Sequence, residues 1–356
     1  MKLNSEQIKS ITQGALDVIE DADGIRFFRF NREEMDFYKP LDTYPKVFAT
    51  AGVQLEFKTD AKEMKLAVDM STASTRSFFS FDVYVNGEFF DEMKNFPDDL
   101  EPTGYSQMKF ELGLHEKRFE LGAGTKTVRV VFPFSVFCAV KELELEGATN
   151  VVPVKLPKIL LAYGDSITHG YDALHFFRSY IAKLARHLDA ELYNKGIGGE
   201  IFRPGLAAIK NNIDPDYITV AYGSNDFNHA LKSELEGDCE NFLKNLKANY
   251  PRAEIFAISP IWRADCGSSR NGEFESFSEI SDTIKACAER VGVHYIYGFD
   301  FVPHDKAYFG DLPVVHPNEK GFEMYFNALK AEIDKVNGGN HIKIAEEIIT
   351  LADVDE

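Results

Sequence analysis

Hydrophobic periodicity changes once along this chain, near residue 150, and the change argues against a single uniform architecture. From about residue 25 to 147 apolar side chains recur at every second position. The sets are Val53, Leu55 and Phe57; Phe79, Phe81, Val83 and Val85; Met108, Phe110, Leu112 and Leu114; and Val128, Val130 and Phe132. Successive side chains of a strand point to opposite faces, so this spacing turns one face toward a core. Asn86-Gly87, between Val85 and Phe89, suits a type I′ hairpin because both residues accept positive φ. Short strands at regular intervals predict a β-sandwich of jelly-roll-like character. Ahead of them, Ile8, Ile11, Ala15 and Ile19 fall at helical spacing and predict an amphipathic helix over 5–20.

After Pro153 and Pro157 the pattern becomes short apolar runs at 158–163, 191–194, 217–222, 254–259 and 293–297, alternating with helical stretches at 177–188, 231–249 and 274–291. Strands buried on both faces and separated by helices predict a five-stranded parallel sheet in an α/β layer structure. The expected organisation is therefore a helix and all-β sandwich over 1–150, an α/β unit over 151–340, and an acidic tail or helix over 341–356. A chain of 356 residues suffices for two such units.

Ligands in α/β sheets gather beyond the carboxyl ends of the strands. There the first run, 159–163, leads into Gly164-Asp165-Ser166-Ile167-Thr168-His169. Three further segments follow in order: Asn194-Lys195-Gly196-Ile197-Gly198-Gly199, Gly223-Ser224-Asn225-Asp226 and His316-Pro317-Asn318. Over about residues 155–337 the sequence resembles the SGNH (GDSL) hydrolase superfamily, whose four blocks supply a nucleophilic Ser, an oxyanion Gly, an oxyanion Asn and a catalytic His. The resemblance implies a flavodoxin-like three-layer α/β/α fold with Ser166 as nucleophile and His316 as base. It also implies an oxyanion hole from Ser166, Gly199 and Asn225. The chemistry asks for these residue types: a Ser hydroxyl needs an imidazole to take its proton, and the developing oxyanion needs fixed donors. The Gly-x-Ser-x-Gly elbow is absent, because Thr168 stands two residues after Ser166.

Members of the superfamily place an Asp three residues before the His, and that position here is Pro313. Asp311 is the nearest acid upstream and the expected third member of a triad, with Asp305 a weaker candidate; a backbone carbonyl orienting His316 is the alternative. Trp262, Asp165 and Tyr171 are candidate substrate-binding residues, and Asp172 and Arg178, which follow the nucleophile turn, are candidates with Tyr171 to shape the acyl pocket. The plainer readings are that Ser166 is a helix N-cap, Asn225 a turn residue, Gly198-Gly199 a loop, and Asp165 and Asp226 backbone-binding structural acids. His169, His175 and His229 read first as packing or surface residues.

The formal charge of −18 argues against a nucleic-acid partner, which requires clustered Lys and Arg. Four widely spaced cysteines, Cys138, Cys239, Cys266 and Cys287, form no CxxC or Cys/His cluster, and no H-E-x-x-H spacing occurs, so neither metal nor cofactor is expected. The amino-terminal residues show no signal-peptide h-region and no run reaches membrane-spanning length, which predicts a cytoplasmic protein without a membrane partner. A sandwich preceding an SGNH unit resembles two-domain carbohydrate esterases. Phe27, Phe28, Phe37 and Tyr38 are candidates for stacking on sugar rings, with burial in the core the preferred reading. The leading expectation is a serine esterase that hydrolyses a short acyl ester, acetyl above all, of a carbohydrate or glycoside, with a small-molecule or oligosaccharide ester as its substrate partner. The alternatives are a lysophospholipase or thioesterase, and a carbohydrate-binding protein with a vestigial hydrolase site.

Overall fold

The computed structural model describes residues 1–98, 100, 108–310 and 314–352, with side chains described through 338. Among the described residues the strands form three sheets. Two are antiparallel and lie in the amino-terminal part. One has the order Thr12–Gln13, Gln54–Thr59, Lys126–Val131, Ser80–Val85, Glu88–Lys94, with Val151–Pro153 added to Gln54–Thr59. The other runs Asp17–Asp21, Gly24–Phe28, Val136–Glu146, Glu63–Thr72, Gly113–Phe119. Their inner faces close on one core that includes Phe27, Leu55, Phe57, Leu66, Val68, Phe81, Val83, Val128, Val130 and Phe132. The expected period-two residues therefore face inward in three of the four sets. Asn86 and Gly87 take φ of 54° and 91° in the hairpin joining Val85 to Glu88.

The fourth set is displaced. The strand begins at Gly113 and runs to Phe119, so Leu114 points outward at 64% exposure while Phe119 is buried. Met108 and Phe110 instead pack toward the α/β part. The predicted helix over 5–20 is also shorter: Ser5–Ile11 is helical, capped by Asn4 and Gln7 in a capping box, and the chain then enters strands Thr12–Gln13 and Asp17–Asp21. Gly14 makes the break, at φ 79° with a Cβ position only 2.3 Å from the Gly52 carbonyl oxygen, where no larger residue fits.

The third sheet is parallel, in the order Ala190–Gly196, Lys158–Gly164, Tyr217–Ala221, Glu254–Ile258, His294–Ile296. Helices Tyr180–His187 and Glu319–Ala352 lie together, and Lys232–Asn249 packs on Ser278–Val291. The apolar residues split into two clusters, with Leu160, Ala162, Leu192 and Phe256 in one and Leu161, Tyr163, Ile218 and Val220 in the other. Alternate residues of the same strands thus serve opposite faces, as a three-layer α/β/α structure requires.

The sandwich is joined to this sheet by buried polar contacts. Arg29 donates to the carbonyls of Asn194 at 2.5 Å and Gly196 at 3.2 Å. Lys195 and Glu34, both with fully buried side chains, pair at 2.6 Å. Phe27 and Tyr38 are buried, and Phe28 and Phe37 half-buried, so the stacking candidates named from the sequence are largely packing residues. The four cysteines are free.

Candidate active site

Lys158–Gly164 lies between two parallel neighbours, and its last residue, Gly164, pairs with Gly196 on one side and Ala221 on the other. The loops bearing Ser166, Gly199 and Asn225 therefore leave adjacent strands at the same sheet edge. Parallel strands end level there, so residues distant in sequence converge.

The serine turn is set by local chemistry. The Asp165 carboxylate accepts the Ile167 N–H at 2.9 Å and caps the short helix Ser166–His169. Gly170, at φ 104°, ends it and returns its N–H to the carbonyls of Ser166 and Ile167. A Cβ at Gly170 would meet the Phe176 ring at 2.9 Å. The chain then doubles back, with Asp172 in the left-handed region at φ 67°.

That reversal brings Asp172 to His316. His316 Nε2 lies 2.8 Å from Ser166 Oγ, and Nδ1 lies 3.3 Å from Asp172 Oδ2. The second contact is an ion-pair distance rather than a short hydrogen bond, and catalytic contacts of this kind tighten when substrate binds. Arg76, from the sandwich, donates from Nε to Asp172 Oδ1 at 2.9 Å, with both side chains buried. Burial opposes ionisation of Asp172, but His316 and Arg76 together hold its carboxyl below the ordinary carboxylate value. This geometry lets Nε2 accept the serine proton while Nδ1–H faces a carboxylate. Asp311, the acid expected from the sequence, lies outside the described residues. Asp305 is exposed and caps the Ala307 N–H at 3.0 Å.

The Gly198 backbone is fixed at both its carbonyl and its N–H. Lys46 donates to the Gly198 carbonyl at 2.5 Å, and a trans peptide then aims the Gly199 N–H the opposite way. The Gly198 N–H donates to His169 Nδ1 at 3.2 Å, so His169 carries its proton on Nε2 and gives it to the Phe134 carbonyl at 2.9 Å. Burial pushes the His169 pKa well down and keeps it neutral in this role. Gly199 itself has φ 87°.

Asn225 Nδ2 donates one N–H to the Glu200 carbonyl at 2.9 Å and keeps a second. Asp226 ties the same two loops, accepting from Phe202 N at 3.1 Å and Gly223 N at 3.0 Å. Arg263 holds the Ser224 carbonyl at 2.8 Å. Of the substrate-binding candidates, Asp165 is turned inward to Ile167, and Tyr171 is buried with its ring 5.4 Å from that of His316. Trp262 stacks on His304 at 5.3 Å. Arg178 pairs with Glu319.

Sequence reasoning passed over Arg76 and Lys46, which arrive from the other part of the chain, and named Asp172 only as a candidate to shape the acyl pocket. The one available signal was its place in Gly170-Tyr171-Asp172, where a glycine ends a very short helix.

Strand-end serine, histidine, carboxylate and fixed amide donors make the arrangement of a carboxylic ester hydrolase. The model of the GDSL-like lipase/acylhydrolase family matches residues 162–324. Comparison with curated protein sequences finds no match. Among solved structures, the salicylyl-acyltransferase SsfX3 from a tetracycline biosynthetic pathway is similar over 92% of this chain and 94% of its own, at 19% identity and TM-score 0.78. A family two carbohydrate esterase from Clostridium thermocellum, solved in complex with cellohexaose, is similar over 82% of this chain and 94% of its own, at 16% identity and TM-score 0.61. An acetyl xylan esterase, Est2A, from the rumen bacterium Butyrivibrio proteoclasticus is similar over 96% and 98%, at 16% identity and TM-score 0.61. At these identities the likeness is one of fold.

Proposed function

We propose that the protein is a serine esterase that removes a short acyl group, acetyl in the first instance, from a hydroxyl of a carbohydrate or glycoside. The observation that carries this reading is the continuous chain Ser166 Oγ to His316 Nε2, then His316 Nδ1 to Asp172, at the edge where the Gly199 and Asn225 loops converge. Ser166 attacks the ester carbonyl as His316 takes its proton. The oxyanion is held by N–H groups of Ser166, Gly199 and Asn225, each worth ~3 kcal/mol in the transition state. His316 protonates the departing alcohol, and water then cleaves the acyl-enzyme by the same steps. Residues 1–150 act as an accessory module that completes the catalytic unit of 151–340 by supplying Lys46 and Arg76.

The substrate class is supported by the surroundings of Gly199. Beside it lies an open depression of about 380 Å³ in which Asp42, Thr43, Arg203 and His229 stand among Pro40, Leu41 and Ile201. A lipid acyl chain needs an enclosed apolar channel, whereas an open depression that mixes charged and apolar side chains suits a sugar ring. The carbohydrate esterases that share this fold agree with that choice, and among the described residues no helix is long and apolar enough to cross a membrane.

The test is hydrolysis of p-nitrophenyl esters of increasing chain length, followed by acetate release from acetylated xylo-oligosaccharides and from simple acetylated alcohols. The expected result is a maximum at acetate and a preference for the oligosaccharide. A maximum at eight carbons or longer contradicts the acetyl assignment, and equal rates on simple alcohols contradict the sugar assignment.

A further inference from the structure

On the sandwich, strand Ser80–Val85 pairs antiparallel with Glu88–Lys94, and the register sets Asp82 directly opposite Glu92. Like charges at directly opposed positions destabilise a sheet. Here the Asp82 side chain is also 1% exposed and that of Glu92 only 19%. His175, from the α/β part and three residues after Asp172, closes over the pair. Its Nδ1 lies 2.8 Å from Asp82 Oδ1 and 3.4 Å from Glu92 Oε2.

Hydrogen-bond donors fall short of acceptors at this point. The Ser80 hydroxyl reaches Asp82 Oδ1 at 2.6 Å and Glu92 Oε2 at 3.5 Å, and it has one hydrogen to give. A single imidazole N–H faces the same two oxygens. Lys94 is spent on the far oxygen, Glu92 Oε1, at 2.5 Å. Among the described residues, Asp82 Oδ2 is left buried without a hydrogen-bond partner. An unpaired buried carboxylate oxygen is costly, and a cation removes the cost.

We propose that Asp82, Glu92 and His175 form a binding site for a first-row divalent cation, Zn²⁺ or Mn²⁺, at the seam between the sandwich and the α/β part. Their potential ligand atoms lie within 4.8 Å of one another. Metal bonds of roughly 2.0–2.2 Å in a tetrahedral site set ligand atoms roughly 3.3–3.6 Å apart, so closure takes side-chain shifts of about an ångström, within the reach of the Glu92 rotamers. One imidazole and two carboxylates suit these ions better than Ca²⁺ or Mg²⁺, which prefer all-oxygen shells. Water completes the shell on the side of Glu92, the more exposed of the two carboxylates. The ion replaces the shared N–H, relieves the opposed carboxylates and fixes the segment that begins at Asp172 to the sandwich. The ligands are distant in sequence, and so no metal-binding spacing announces them.

The test is metal content. Chelator-treated protein is dialysed against ZnCl₂ or MnCl₂, bound metal is measured by mass spectrometry, and thermal unfolding is followed with and without the ion. The expected result is one equivalent per chain and a higher Tm for the wild type and for Ser166→Ala. Affinity should fall by about a hundredfold or more, with loss of the Tm shift, in His175→Gln. Glu92→Gln, at the more exposed ligand, gives the same reading should His175→Gln fail to fold. Wild-type protein that retains no metal, or an undiminished equivalent in a folded variant, overturns the proposal.

Discussion

At the scale of single residues, the site depends on side chains that turn other groups rather than touch substrate. Lys46 is the clearest, because its bond to the Gly198 carbonyl decides which way the next N–H points. Replacing it with Met frees that peptide to rotate. Lys46→Met is expected to lower kcat about tenfold, a loss of ~1.4 kcal/mol of transition-state stabilisation, with little change in KM. Steady-state kinetics on p-nitrophenyl acetate checks this, and a rise in KM at unchanged kcat would assign Lys46 to substrate binding instead. Ser166, Gly199, Asn225 and His316 were legible in the sequence because each follows a recognisable strand or precedes a helix in a fixed order. Lys46 and Arg76 were not, since nothing in a β-sandwich sequence marks which outward residue will meet a second module.

At the scale of elements, the loops after Ala190–Gly196 and Tyr217–Ala221 are clasped by Asp226, which takes an N–H from each. Burial nevertheless raises its pKa from 3.8 to about 7. The folded chain thus keeps a proton that the unfolded chain releases. The associated stability is fully present below pH 3.8 and is lost as pH rises to about 7. The loss is on the order of 4 kcal/mol. Asp226→Asn should flatten the decline in urea-unfolding free energy between about pH 4 and pH 7, and an unchanged slope would remove Asp226 as its source. Periodicity located the parallel strands and their helices well, because burial on both faces leaves a strong signal. It overextended the first helix, where a glycine turn against the Gly52 backbone overrides helical spacing. It also set the edge strand Gly113–Phe119 too early, because Met108 and Phe110 are apolar for the sake of the neighbouring α/β core.

At the scale of the molecule, the two parts are joined through buried charge. Lys195 and Glu34 form a fully buried pair across the junction, and burial lowers the Lys195 pKa to about 8 despite its partner. Lys195→Met strands the Glu34 carboxylate and should cost about 3–5 kcal/mol in urea unfolding, much of it regained in Lys195→Met with Glu34→Gln, since Gln preserves the capping box. Equal losses in the single and double variants would show that the pair itself contributes nothing special. The same junction delivers Arg76 to Asp172 and so ties the sandwich to the turn that follows Ser166. The two-part architecture was legible from the change of period, while the partnership was hidden, because a sequence does not say which faces meet. The proposed acid partner of His316 shows the limit most sharply: family spacing falls on Pro313, the nearest acid upstream is Asp311, which lies outside the described residues, and the fold sets Asp172 3.3 Å from Nδ1. The deciding measurement is kcat for Asp172→Asn and Asp311→Asn side by side on one acetyl ester. Asp172→Asn should fall by roughly a hundred- to ten-thousand-fold and Asp311→Asn by less than about tenfold. The reverse order, or near-wild-type turnover in Asp172→Asn, would contradict the account.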